Sequence, residues 1–262
     1  MKRTQSIVGA IAAVLLVALT GCGSDSATPT SSSSGAPAGG TLTVYAAASL
    51  KKTFTDIGKQ FETDNPGWKV EATFAGSSDL VTQLTQGAKA DVFASADTAN
   101  MDKAVKAGLV AGDPVNFASN TLVIVTPPGN PKKIASFADL AGADLKVVVC
   151  APQVPCGAAT KKVEQASKVT LNPVSEESSV TDVLTKVTTG QADAGVVYVT
   201  DAMGAGDKVA EVDFVESSVA VNTYPIAALK TAADAAVAKK FIDLVTGEAG
   251  QKILSQAGFA KP

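Results

Sequence analysis

An α/β fold of two similar units with a cleft between them is the architecture this sequence predicts, and three observations carry it. Short β-rich runs alternate with helix-period runs from Thr41 to Ala107. The cluster Pro127-Pro128-Gly129-Asn130-Pro131 breaks that series, and a second alternating series runs from Lys146 to Tyr198. Such alternation implies mostly parallel sheets with helices on their faces.

The first unit opens with Thr41–Ala46, a short strand. Ser49 then starts a helix with Leu50, Phe54, Ile57 and Phe61 at helical spacing, and Asn65-Pro66-Gly67 stops it. Trp68–Phe74 reads as the second strand, and Ser77 and Ser78 cap a helix carrying Leu80, Val81 and Leu84. Asp91–Ser95 is a third strand, followed by a helix over Thr98–Ala107 that Gly108 ends. Beyond the apolar strand Thr121–Val125 and the proline cluster come a strand over Lys146–Cys150, helices over about 157–168 and 179–188, and a strand over Ala194–Tyr198. Asp213–Val215 is a further candidate strand, and Tyr224–Leu229 is the last extended run. The C-terminus is helical, with Val237, Phe241, Leu244 and Val245 on one face, then Ile253 and Leu254.

In open α/β sheets, ligands sit beyond the carboxyl ends of strands, where helices begin. The turns at such ends carry Ser49, Ser77, Cys156-Gly157 and Ser179-Val180, and Tyr198 closes the apolar strand Gly195-Val196-Val197. Some of these belong to the first unit and some to the second, so a ligand held by both would lie between them.

Composition narrows the chemistry. The chain has 262 residues, a formal net charge of −3 and no histidine, and its only arginine is Arg3. No basic stripe exists for nucleic acid. A Ser-His-Asp hydrolase is excluded, and two cysteines without histidine make a poor metal site. An anion would have to be held by neutral donors, namely hydroxyls and the N–H groups at helix N-termini, which lack internal partners and lie at the positive end of the dipole.

The N-terminus reads as an export signal. Lys2 and Arg3 precede an apolar run of 13 residues, Ile7 to Leu19, too short to span a bilayer, which takes about 20. Leu19-Thr20-Gly21-Cys22 then resembles a bacterial lipobox, which makes Cys22 the acylated first residue of a mature lipoprotein and 1–21 its signal peptide. Residues 22–40 are rich in Ser, Thr, Gly, Pro and Ala and read as a flexible tether. Without Lys2 and Arg3 the charge is −5. Cys150 and Cys156 remain, and in an exported chain they are expected to form a disulfide, two free thiols being the alternative.

Five motifs in order now resemble one family, the periplasmic molybdate-binding proteins of ABC importers. They are Val44-Tyr45-Ala46-Ala47-Ala48-Ser49-Leu50; Phe74-Ala75-Gly76-Ser77-Ser78 with Ala90-Asp91-Val92-Phe93-Ala94-Ser95-Ala96-Asp97; Val154-Pro155-Cys156-Gly157; Glu177-Ser178-Ser179-Val180; and Gly195-Val196-Val197-Tyr198-Val199-Thr200-Asp201-Ala202. The resemblance spans nearly all of 41–262. It implies the two-lobed type II periplasmic binding fold, with lobe 1 over 41–121 plus 225–262 and lobe 2 over 122–224. The hinge is then expected at Thr121–Val125 and Tyr224–Ala227. It also implies an oxyanion site of two serine hydroxyls, Ser49 and Ser77, the Tyr198 hydroxyl, and the backbone amides of Val180 and Cys156, where the family commonly has alanine at the last. Asp91, Asp97 and Asp201 are read as capping residues.

The resemblance further implies a monomeric, lipid-anchored protein on the outer face of the cell membrane. It would bind molybdate and tungstate and pass them to an ABC permease and its ATPase, with no cofactor, no direct metal ligand and no enzymatic activity. Two other readings share these residues. A binding protein of the same shape could take sulfate or another anion. Ser49-Leu50-Lys51-Lys52 also matches the Ser-x-x-Lys spacing of penicillin-recognising enzymes, with Ser49 as nucleophile and Lys52 beside it, though the partner motifs are missing. Because none of the expected donors titrates between about pH 5 and 9, the sequence predicts nearly constant affinity from about pH 6 to 8.5.

Overall fold

The computed structural model describes residues 39–262. The signal segment, Cys22 and nearly all of the tether lie outside the described residues. Ten strands come in chain order: β1 (Gly40–Ala47), β2 (Trp68–Ala75), β3 (Val92–Ala94), β4 (Val110–Asn120), β5 (Leu122–Thr126), β6 (Val147–Cys150), β7 (Ser175–Glu177), β8 (Ala194–Tyr198), β9 (Ala210–Val212) and β10 (Asn222–Leu229). The helices are α1 (Lys51–Asp64), α2 (Ser77–Thr85), α3 (Thr98–Lys106), α4 (Pro155–Ser167), α5 (Val180–Thr188), α6 (Val199–Ala205), α7 (Ala235–Thr246) and α8 (Glu248–Gln256).

The strands form two five-stranded sheets, ordered β2-β1-β3-β10-β4 and β7-β6-β8-β5-β9. Each defines a lobe. Both are mixed rather than mostly parallel: β1 runs parallel to β2 and β3, and β6 to β7 and β8. The antiparallel pairings all involve β10 or β5, the strands that receive the chain as it passes between lobes.

Periodicity explains the packing. On one face of the first sheet, Leu42, Val44 and Ala46 alternate inward from β1 and meet Phe54, Ile57 and Phe61 of α1 and Phe241 and Val245 of α7. The Phe241 ring stands edge-on to Phe54 and Phe61, at 5.9 and 5.5 Å. The other face packs Phe93 against Leu80, Val81 and Leu84 of α2 and Met101 of α3. In the second lobe, β5, β6 and β8 are buried along their whole lengths. They therefore read as continuous apolar runs, as strands covered on both faces do.

Several elements depart from expectation. β4 carries Gly112, Asp113 and Pro114, which read as breakers, yet it forms the edge of its sheet, where proline is tolerated. The short β7 and α6 are also additional. The candidate strand at Asp213–Val215 is not one; the ladder uses Ala210–Val212, and Phe214 instead packs its ring 5.3 Å from Phe137. The two crossing segments are strands, as expected: Leu122–Val125 pairs with β8, and Tyr224–Ala227 lies in β10. The chain passes between sheets at Thr121, alone between β4 and β5, and returns through Val221 into β10.

Candidate anion-binding site

The turns after β1 and β2, the first turns of α4 and α5 and the end of β8 converge on one small cavity. Ser49, Ser77, Cys156, Val180 and Tyr198 all line it, together with Ala47, Ala48, Gly76, Ala96, Val154 and Pro155. The space open to the centre of a water-sized sphere is about 10 Å³. A groove of about 600 Å³ between α1 and α5–α6 shares only Ala48 and Ser49 with this cavity. We place the candidate site at the smaller one because all five expected residues line it and only Ser49 among them lines the groove.

Neither serine acts as a helix cap. Ser49 lies within the single 3-10 turn Ala48–Leu50, and its Oγ is 3.0 Å from the Tyr224 hydroxyl. Ser77 is the first residue of α2, behind Gly76, and its Oγ accepts from the Ala96 N–H at 3.0 Å. Ser78 does not line the cavity, and its buried Oγ has no hydrogen-bond partner among the described residues.

Two helix starts bring the backbone of Cys156 and Val180 to the cavity. Pro155 takes the first position of α4, where its missing N–H costs nothing, and puts Cys156 second. Val180 opens α5 behind Ser179, whose Oγ accepts from the Asp182 N–H. N–H groups in a first turn have no partner inside the helix and sit at its positive end. A disulfide joins Cys156 to Cys150 at the end of β6, and both residues are buried. The turn they bracket is tight: a Cβ on Gly157 would lie 2.0 Å from the Ala151 carbonyl oxygen.

Tyr198 is fully buried, and its hydroxyl accepts from Asn222 Nδ2 at 2.8 Å. Burial, followed by the charges of Tyr224, Asp97 and Asp201, pushes its pKa well above the usual tyrosine value, so it stays a donor. Tyr224 is raised too, chiefly by burial. Its ring packs edge-on to that of Tyr198 at 6.0 Å. Sequence reasoning missed Asn120, Asn222, Tyr224 and the Ala96 peptide. The one signal in the sequence was an asparagine at the mouth of an apolar strand, where a polar side chain must find partners once buried.

The acidic residues are occupied elsewhere. Asp97 caps α3 through the Asn100 N–H at 2.8 Å, and Asp201 accepts from the Tyr198 N–H at 3.2 Å. Asp91 ties Thr43 N to Ala233 N rather than capping a helix, at 2.7 Å each. Burial lifts the Asp201 pKa from 3.8 to about 7, against the lowering effect of the Tyr198 N–H. The donors themselves do not titrate near neutrality, but this close neighbour does, so the expectation of pH-independent affinity is revised. Lys52 is exposed and pairs with Asp56 at 3.7 Å, while Ser49 bonds to Tyr224, so the two do not form a nucleophile–base pair.

The lobes meet over the cavity. A Cβ on Gly76 of the first lobe would lie 2.1 Å from the Ser178 carbonyl oxygen of the second. Asn100 Nδ2 reaches the Gln153 carbonyl at 3.5 Å. Hydroxyls and amides line the cavity and no carboxylate or amine does, an environment suited to an anion that only accepts hydrogen bonds.

Comparison with known proteins gives the family and the fold. The family model described as bacterial extracellular solute-binding protein matches residues 42–260. The chain is 58% identical over 255 residues to the molybdate-binding protein ModA of Mycobacterium tuberculosis, covering 97% of each. It is 32% identical to that of Escherichia coli, covering 84% of this chain and 89% of the relative. The fold is that of the Azotobacter vinelandii periplasmic molybdate-binding protein, with a TM-score of 0.71, 24% identity, and coverage of 84% of this chain and 99% of that one. The chain belongs to the bacterial extracellular solute-binding proteins and, within them, to the ModA family. Among the described residues no helix is long and apolar enough to cross a membrane.

Proposed function

We propose that the protein captures molybdate outside the cytoplasmic membrane and delivers it to an ABC permease driven by its ATPase. The observation that carries this reading is the cavity itself, where Ser49, Ser77, Tyr198 and the amides of Cys156 and Val180 converge without a carboxylate. The ModA relatives support the choice of ligand. Tungstate has the same shape and charge and binds the same donors. Opening and closing occur about Thr121 and Val221, where single residues link the lobes. The protein acts as a monomer, without a cofactor and without catalysis, held to the membrane by lipid on Cys22. One acyl chain anchors only marginally, so Cys22 carries more than one, palmitate among them.

Calorimetry of the full chain with molybdate, tungstate, sulfate and hydrogen phosphate tests the ligand. One-to-one binding of molybdate and tungstate is expected, and no heat with molybdate would overturn the reading. Cys22→Ser should move the protein from the membrane to the soluble fraction.

A further inference from the structure

Asn100, in the first turn of α3, is 1% exposed, yet it does not line the anion cavity. Its amide is fixed from two sides within the first lobe. Nδ2 lies 2.9 and 3.1 Å from the two carboxylate oxygens of Asp97, which accept only. Oδ1 lies 2.9 Å from Lys103 Nζ, which donates only. These two neighbours leave one orientation for the amide, with nitrogen and oxygen assigned by their partners. A carboxamide nitrogen carries two protons, and Asp97 engages one side of it. On another side Nδ2 meets the Gln153 carbonyl oxygen of the second lobe at 3.5 Å.

The acceptor is held as firmly as the donor. Gln153 lies in the loop that the Cys150–Cys156 disulfide closes, directly after Pro152. At the base of that loop the Ala151 N–H donates to the Glu177 carbonyl at 2.8 Å, and the Val154 N–H donates to the Ala151 carbonyl at 2.9 Å. The same loop meets the first lobe at two further points. Val154 Cγ1 would lie 3.5 Å from a Cβ on Gly76, and the Pro155 carbonyl oxygen is 3.5 Å from Asn222 Nδ2. The disulfide-closed loop is thus a rigid part of the second lobe seated on the first.

We propose that Asn100 is a positioning residue that latches the two lobes together: by donating to the Gln153 carbonyl it slows release of the anion without touching it. This rests on the anion-binding role proposed above. The bonds to Asp97 and Lys103 lie within one lobe and survive opening, whereas the bond to Gln153 crosses between lobes and is lost. A bond present only in the closed form favours that form. Because Asn100 contacts no anion, it retards the escape of each by the same factor. The bond is long and uncharged on the acceptor side, so the effect is modest, roughly threefold to tenfold in affinity.

The test is a rapid-filtration chase of labelled molybdate, with equilibrium dialysis, on the full-chain wild type, Asn100→Ala and Asn100→Leu. Thermal melts confirm folding, and leucine keeps the side-chain volume. Dissociation is expected to quicken by roughly threefold to tenfold, with the association rate held within about twofold. Labelled sulfate, if it binds, should be lost faster by the same factor. Unchanged dissociation, a loss carried by slower association, or factors that differ between the anions would overturn the latch. A measurement on the wild type needs no substitution: nuclear magnetic resonance should show slower solvent exchange of the Asn100 side-chain amide once molybdate is bound, and equal exchange with and without it overturns the latch as well. A wild type that binds sulfate but not molybdate overturns the ligand assignment, and the chase with labelled sulfate then decides the latch. One that binds no anion overturns both.

Discussion

Asn120 and Asn222 sit opposite each other in the β4–β10 ladder, each one residue from a point where the chain passes between lobes. Their amides reach tyrosines of different lobes, Tyr224 in the first and Tyr198 in the second. The register of one strand pair thus joins the two crossings between the sheets to two buried tyrosine hydroxyls.

The neighbouring serines should separate cleanly. Ser77→Ala removes a cavity donor and strands the Ala96 N–H, so molybdate binding should weaken by roughly 1–3 kcal/mol, the worth of a charge-assisted bond. Ser49→Ala should cost a similar amount. Ser78→Ala removes a buried hydroxyl with no partner among the described residues and should leave binding unchanged, with stability equal or higher. Calorimetry and thermal melts of the three variants check this, and the reverse pattern would move the site to Ser78.

Gly76 tests lobe closure without disturbing the fold. Its backbone, at φ −58 and ψ 139, suits alanine as well as glycine. The atoms nearest the added methyl belong to the opposite lobe, at the Ser178 carbonyl and Val154. Gly76→Ala should therefore keep the melting temperature of the ligand-free protein and lose most of the rise that molybdate produces. Normal affinity would show that binding does not need this contact.

Asp201 should make stability and affinity depend on pH. Its folded pKa of about 7 exceeds the ordinary 3.8, so between these values the folded protein holds a proton that the unfolded chain has released. Stability from this group is fully present below about pH 4 and is lost as pH rises through 7. The scale is a few kcal/mol, at about 1.4 per unit. Asp201→Asn keeps an acceptor for the Tyr198 N–H and should raise the melting temperature at pH 8 but not at pH 4. Molybdate should also bind more tightly at pH 6 than at pH 8, where the carboxylate is charged, and the Asn variant should flatten that slope.

Removing the disulfide should act on stability and site together. Closing so short a loop is worth about 2 kcal/mol in the chain-entropy model. Replacing Cys150 and Cys156 by serine should lower the denaturant midpoint accordingly. It should also weaken molybdate binding, because the bridge holds the turn that presents the Cys156 N–H.

The alternating pattern was legible because β5, β6 and β8 are short apolar runs and α1 and α7 have clean apolar faces. β4 was not, because an edge strand needs little apolar surface and tolerates Gly112 and Pro114. At the site, Ser49 and Ser77 were visible from their place after strands. Their hydrogen bonds were not, since Tyr224 is 175 residues from Ser49 and Ala96 is 19 from Ser77. Asp201 read as a cap and is one; only its burial, a tertiary property, makes it titrate near neutrality.

The position of β10 between β3 and β4 governs the order in which the molecule can assemble. The second sheet is drawn from one unbroken stretch, Leu122 to Val212, and its core is complete once Phe214 and Ala220 follow. The first sheet cannot join β4 to β3 until β10 arrives, and its core lacks Phe241 and Val245 until α7 is in place. A chain emerging N-terminus first therefore finishes its second lobe before its first, and the late step must close a loop as long as that entire lobe. Ser49 and Ser77 are among the earliest residues to appear, yet Tyr224, which holds Ser49, comes near the end. Capacity to bind the anion is thus acquired last, when the C-terminal segment locks into the middle of a sheet begun at the N-terminus.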